Sequence, residues 1–135
     1  GHAFGACHGG SYWAYHEPRN NAEMVKLGEL ELERTFTFVG FKYYTCVYCV
    51  LTQERILYFY RNRNDFYLNP NGSVRELINL ANAFKINVPT PTTEETHDSI
   101  FEIEMEKGSL KQWRFKCKNQ QIRDEWLDAI NTFKK

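Results

Sequence analysis

The sequence has no surplus of charge of either sign. Seventeen lysines and arginines are balanced by seventeen aspartates and glutamates, and the isoelectric point is about 7.1. Non-specific nucleic-acid binding needs an evident basic excess, so nucleic acid is excluded as a partner. Any anion site must come from local arrangement. Long hydrophobic runs are also missing, because charged residues interrupt every apolar stretch well short of the roughly 20 residues a membrane-spanning helix requires. No basic segment leads into a continuous apolar one at the start, so no secretory signal peptide is expected. With Gly1 counted as acceptor, Gly5 stands where a myristoylation signal wants Ser or Thr. The signatures G-x-x-x-x-G-K, G-x-S-x-G and H-E-x-x-H are all absent, and no catalytic residues are assigned. The expectation is a protein that is not an enzyme and needs no cofactor.

Cysteine is sparse. Cys7, Cys46, Cys49 and Cys117 read as reduced thiols rather than a disulfide framework. Cys46 and Cys49 have C-x-x-C spacing, but they fall in a strand, where residues three apart face opposite sides. No metal site is expected. His97 sits in a polar loop and reads as solvated.

What the chain does have is aromatic residues, at 16%, within 135 residues, enough for one domain with one core. Residues 1–23 read as a separate N-terminal arm, and residues 24–135 as the domain. In "KLGELELER", Leu30 and Leu32 alternate with Glu29, Glu31 and Glu33, the pattern of a half-buried strand. "FKYYTCVYCVLT" and "RILYFY" read as second and third strands, separated by a turn near Thr52–Glu54. "RNRNDFYLNPNGS" reads as loop. In "VRELINLANAFKINV" the apolar spacing is helical at first and alternating later, so that segment is ambiguous. "IFEIEMEKG" and "QWRFKCKN" form a hairpin turning at Gly108–Ser109. One face of it is apolar; on the other, glutamates lie beside basic residues. Lys116 and Lys118 are thereby engaged by their own protein's carboxylates. "FEIEME" offers spaced carboxylates, but on a wet face. Finally, Ile122, Trp126, Ala129, Ile130 and Phe133 mark one stripe of a C-terminal helix with Asn119 as its N-cap. About seven strands followed by one helix predict a mainly β fold, an antiparallel sandwich or half-open barrel with the helix at one end.

In this order and spacing the pieces resemble a pleckstrin-homology (PH) domain. "KLGELELE" is similar to its opening strand, "YCVLTQERILYFY" to strands 2 and 3, "IFEIEMEKGSLKQWRFKCKN" to its late hairpin, and "RDEWLDAINTF" to its terminal helix, with Trp126 at the signature tryptophan. The likeness covers residues 24–135. It implies a seven-stranded antiparallel half-open barrel capped by one C-terminal helix, with Trp126 in the core. It also assigns Ile78 and Leu80 to strand 4 and Phe84 to Val88 to strand 5. The composition is loosely similar to the acylated PH-domain proteins of apicomplexan parasites, associated with phosphatidic acid sensing and secretion.

The resemblance further implies a basic cup at the open end of the barrel, filled here by Arg34, Lys42, Arg61 and Arg63. The family's mid-strand basic residue is replaced by Cys46 and Val47. Fewer donors suit a small anionic headgroup such as phosphatidic acid better than a multiply phosphorylated inositol. The resemblance also assigns "RTFTFVGFKYY" to the loop between strands 1 and 2. Phe36, Phe38, Val39 and Phe41 are its membrane-insertion candidates. Anionic membrane lipids are the expected partners and a peripheral cytoplasmic location is implied. The alternative is a protein-interaction module with little lipid affinity.

Overall fold

Alternating side chains become a single curved sheet. The structure, a computed structural model, describes residues 24–36, 38–89, 99–108 and 112–132. Seven strands run antiparallel: β1 (Met24–Phe36), β2 (Phe41–Thr52), β3 (Ile56–Tyr60), β4 (Val74–Asn79), β5 (Lys85–Asn87), β6 (Ile100–Glu104) and β7 (Gln112–Lys116). Their spatial order is β4-β3-β2-β1-β7-β6-β5. Helix α1 (Arg63–Leu68) lies between β3 and β4, and helix α2 (Gln120–Thr132) follows β7. The predicted architecture of seven strands and a terminal helix is present.

The leucines of β1 face inward. Leu30 and Leu32 meet Val47, Cys49 and Leu51 of β2, Leu57 and Phe59 of β3, and Phe101, Ile103 and Phe115 of the late hairpin. Trp126 and Ile130 of α2 close this core, and Trp126 is 1% exposed. The helix begins where the sequence places it, with the Asn119 side chain accepting from Ile122 N–H at 2.9 Å. Lys26 sits 5.3 Å from the centre of the Trp126 ring. The hairpin register also agrees with the pattern: Phe101 lies opposite Phe115, and Glu102 opposite Arg114, which donates to it at 2.8 Å. Lys116 lies opposite Glu31 of β1 in register, but its ammonium sits 5.6 Å from the Tyr44 ring centre. Neither it nor Lys118 makes an ion pair among the described residues, so their expected engagement by the protein's own carboxylates does not hold.

Three further expectations are corrected. Residues 61–73 are not simply loop. Asn62 accepts from Asp65 N–H and starts α1, whose Phe66 packs on the outer face of the sheet against Tyr48, Val50 and Tyr60. In the ambiguous segment the strand 4 assignment holds for Ile78, which lies opposite Leu57 in β4 against the helical spacing; only Leu80–Asn82 coils, as a short 3-10 turn. Leu80 therefore lies just past strand 4, and strand 5 is confined to Lys85–Asn87, leaving Phe84 and Val88 outside it. Finally, not every thiol is reduced: Cys49 and Cys117 are free, but Cys46 is disulfide-bonded, so the reading of four free thiols does not hold. The N-terminal arm and His97 lie outside the described residues. No helix among the described residues is long and apolar enough to cross a membrane.

Candidate functional site

Strands β1 and β2 continue past the core as a two-stranded hairpin. β7 pairs with β1 only at Glu31 and Leu32, so beyond that point the late strands add no ladder pairing to the hairpin, although Arg114 of β7 still reaches Glu33 at 3.9 Å. Gly40 turns it, with φ of 68° and its N–H donating to the Phe36 carbonyl at 2.8 Å. Only a residue without Cβ takes that conformation without cost.

The register decides which side chains face the barrel's open end. Arg34 lies opposite Tyr43, Thr35 opposite Lys42, and Phe36 opposite Phe41. Alternation then groups Arg34 and Phe36 with inward-facing Leu30 and Leu32. On β2 it groups Phe41, Tyr43 and Thr45 with inward-facing Val47. Thr35 and Lys42 belong to the other side of the hairpin.

A cavity of about 520 Å³ opens at this end, lined by Arg34, Tyr43, Thr45, Cys46, Val47, Phe59, Tyr60, Arg61, Arg75 and Glu76. Of the four basic residues read from the sequence, the structure brings Arg34 and Arg61 to its wall. Lys42 does not line it, because the register turns that side chain to the opposite face. Nor does Arg63, which sits in α1 with its guanidinium 5.3 Å from the Tyr67 ring centre. Arg75 does, and sequence reasoning missed it. A bulge between Phe59 and Tyr60 pairs Glu76 with Phe59 and Val74 with Tyr60, leaving Arg75 as the extra residue. With both Arg75 and Glu76 on the wall, β4 contributes two adjacent residues where plain alternation allows one.

The charges are partly committed. Arg34 holds Glu76 with both prongs, at 2.6 and 3.2 Å. Arg61 meets Asp65 at 3.1 Å in an exposed pair. Arg75 makes no ion pair or hydrogen bond with the described residues. The Thr45 hydroxyl oxygen is buried at the wall with no hydrogen-bond partner. Tyr60 donates to the Pro70 carbonyl at 2.7 Å, and burial, helped by nearby Tyr58, pushes its hydroxyl up to about 12, so it stays protonated. The arrangement offers donors to an anion: guanidinium groups, a hydroxyl, and an apolar floor from Val47 and Phe59.

Next to the cavity is the hairpin tip. Phe38 is 91% exposed, Val39 70%, Phe41 61% and Phe36 51%. Phe36 and Phe38 meet edge to face at 6.4 Å, and Phe41 stacks on Tyr43 at 6.3 Å. Phe36, Phe41 and Tyr43 share their face of the hairpin with Arg34. An exposed apolar cluster of this kind marks an interaction surface.

The rest of the chemistry is quiet. Cys49 is fully buried in the core, and desolvation, with a contribution from Cys117, holds its thiol well above the ordinary range. Burial pushes Cys117 up to about 12, against the opposing pull of Arg123 and Lys26. Both are protonated and inert as nucleophiles. No group of three or more metal-ligating side chains occurs among the described residues.

Comparison with known proteins addresses the fold. The family model described as "PH domain" matches residues 24–135. Among curated proteins none matches the chain. Several solved structures do. The PH domain of pleckstrin homology domain-containing protein family A member 5 from human aligns with a TM-score of 0.63 and 16% identity, over 96% of this chain and 91% of that one. The C-terminal PH domain of pleckstrin, solved with an inositol pentakisphosphate, aligns with a TM-score of 0.58 and 17% identity, over 83% and 96%. The Slm1 PH domain in complex with phosphoserine aligns with a TM-score of 0.60 and 17% identity, over 83% and 97%. At these identities the likeness is one of fold. None of these neighbours is an acylated apicomplexan protein.

Proposed function

The chain belongs to the PH domain family, and on that premise we propose that it is a non-enzymatic membrane-targeting module that binds anionic phospholipid headgroups. The observation that carries the reading is the juxtaposition of a cavity walled by Arg34, Arg61 and Arg75 with the exposed ring cluster of Phe36, Phe38 and Phe41 on the neighbouring hairpin. Peripheral proteins hold a bilayer by this combination: apolar side chains enter the interface while cations engage the headgroups. Each basic residue close to an anionic leaflet contributes about 1 kcal/mol, so neither three arginines nor three rings suffice alone. Lys42, on the hairpin's other face, serves the leaflet surface rather than the cavity. Arg63 supports the site at one remove, through α1. Complexes of the pleckstrin C-terminal PH domain with inositol pentakisphosphates support an inositol phosphate or a smaller phosphate headgroup as the ligand class. Phosphatidic acid is the smaller of these candidates.

Co-sedimentation with neutral, phosphatidic-acid, phosphatidylserine and phosphoinositide vesicles, at low and physiological salt, tests the proposal. Binding to an anionic class that falls as salt screens it is the expected result. Absence of binding to every vesicle overturns it and leaves a protein partner at the same tip.

A further inference from the structure

One residue of the cavity opposes the ligand just proposed. Glu76 enters the wall from β4, opposite Phe59, and both its oxygens are engaged by Arg34, at 2.6 and 3.2 Å. A guanidinium grips a phosphate in the same two-pronged geometry. The carboxylate therefore sits on Arg34 where a phosphate would sit. The two side chains are 32% and 35% exposed, so water reaches the pair and it can exchange. Arg61 is engaged in turn by Asp65. That leaves Arg75, the Tyr43 hydroxyl and, buried beneath them, the partnerless Thr45 hydroxyl as the wall's donors without a hydrogen bond among the described residues.

We propose that Glu76 is a built-in competitor for the anion and sets the specificity of the cavity. With Arg34 occupied, the remaining donors suit a headgroup carrying one phosphate. A headgroup with several phosphates must first displace Glu76, and that requirement keeps its affinity low. This inference rests on the headgroup reading of the cavity and adds the residue that selects among headgroups.

The test uses the full chain as wild type and as the variants Glu76→Gln, Glu76→Ala and Arg75→Gln. Each is titrated with vesicles of neutral lipid alone, with phosphatidic acid, and with a phosphatidylinositol bisphosphate. Melting temperatures are recorded in parallel. Glu76→Gln keeps the shape and removes the charge; Glu76→Ala removes the acceptor that the amide oxygen retains. Releasing one guanidinium toward an anionic leaflet is expected to tighten bisphosphate binding about fivefold in both Glu76 variants, with phosphatidic-acid binding changed less than about twofold. Arg75→Gln is expected to weaken binding to both lipids. If Glu76 variants bind bisphosphate vesicles no better than wild type while Arg75→Gln still weakens binding, the competitor role is overturned and the headgroup site stands. If Arg75→Gln and a further Arg34→Gln variant both bind every vesicle as wild type does, the headgroup reading falls and the inference falls with it.

Discussion

The chain carries two sets of aromatic rings on the same sheet, and they have opposite fates. Phe59, Phe101 and Phe115 are 0% exposed, and Phe115 stacks on both of the others at 5.7 and 5.0 Å. Phe36, Phe38 and Phe41 are half exposed or more. Residue type does not separate the sets, and Phe36 and Phe41 follow the same inward alternation as the core. What separates them is cover. Trp126 and Ile130 of α2 close over the first set, whereas β7 stops pairing at Glu31 and Leu32 and leaves the hairpin beyond it without a third strand. One end of the barrel is a core and the other is a surface built from the same residues. Burial, and with it function, is decided here by which strands reach how far.

Four measurements break or sharpen that contrast. The largest effect is expected at the closed end. Phe115→Ala removes a fully buried ring from between two others and should cost about 3–5 kcal/mol, read by urea unfolding. A cost near zero would mean that the two sets are not different after all. At the open end, Phe38→Ser should leave unfolding within about 0.5 kcal/mol of wild type. The same variant should weaken vesicle binding about tenfold, as expected for a ring lost from an apolar interface. Unchanged binding would break the assignment of the tip to membranes.

A third contrast is in alkali. Burial raises Cys49 and Cys117, and also Tyr48 and Tyr60, in the folded state. Each is neutral when protonated and ionises more readily when unfolded. Their contribution is complete below the unfolded cysteine value of about 8.5 and is lost as pH rises from there toward the folded values near 12. Melting temperature should therefore fall from about pH 9 upward, and Cys49→Ala should reduce the steepness of that fall. The smallest effect compares the two turns. Gly40 takes φ of 68° at the tip, and Arg55 takes φ of 67° at the far turn between β2 and β3. Arg55→Gly should gain up to about 1 kcal/mol, the usual cost of a left-handed conformation for a residue with a Cβ. No gain in thermal unfolding would show that Arg55 compensates through its own contacts.

Much of this was legible in the sequence because period and chemistry agreed. Leu30 and Leu32 against the glutamates, and the acidic and basic alternation of the late hairpin, marked the strand faces; the hairpin register itself, with Glu102 opposite Arg114, did not follow from that alternation. Trp126 and the Asn119 cap likewise announced the helix. The cavity was only half legible. The family resemblance supplied Arg34 and Arg61, whereas the facing of Lys42 depends on the register through Gly40, which turns it away from the cavity. Arg75 was hidden for a different reason. A bulge breaks the period of two on which the reading depends, and nothing in "SVREL" marks it. The helix around Phe66 escaped notice because six residues are too few to display a helical period. Cys46 misled by composition: four cysteines in a charge-balanced chain suggested reduced thiols, and pairing depends on proximity that spacing does not reveal.

That bulge has a consequence for how this site can change. The charge presented at the mouth of the barrel is set by counting, not by composition. Shortening β4 by one residue, for example by deleting Val74, would let Arg75 fall opposite Tyr60 and swing to the outer face, while Glu76 stayed opposite Phe59. The mouth would lose a cation and keep its carboxylate without any charged residue having been replaced. A single-codon deletion can thus weaken the anion preference of this surface while Arg34 and Arg61 remain on the wall, and insertions or deletions in the strand count for as much as substitutions when related chains are compared.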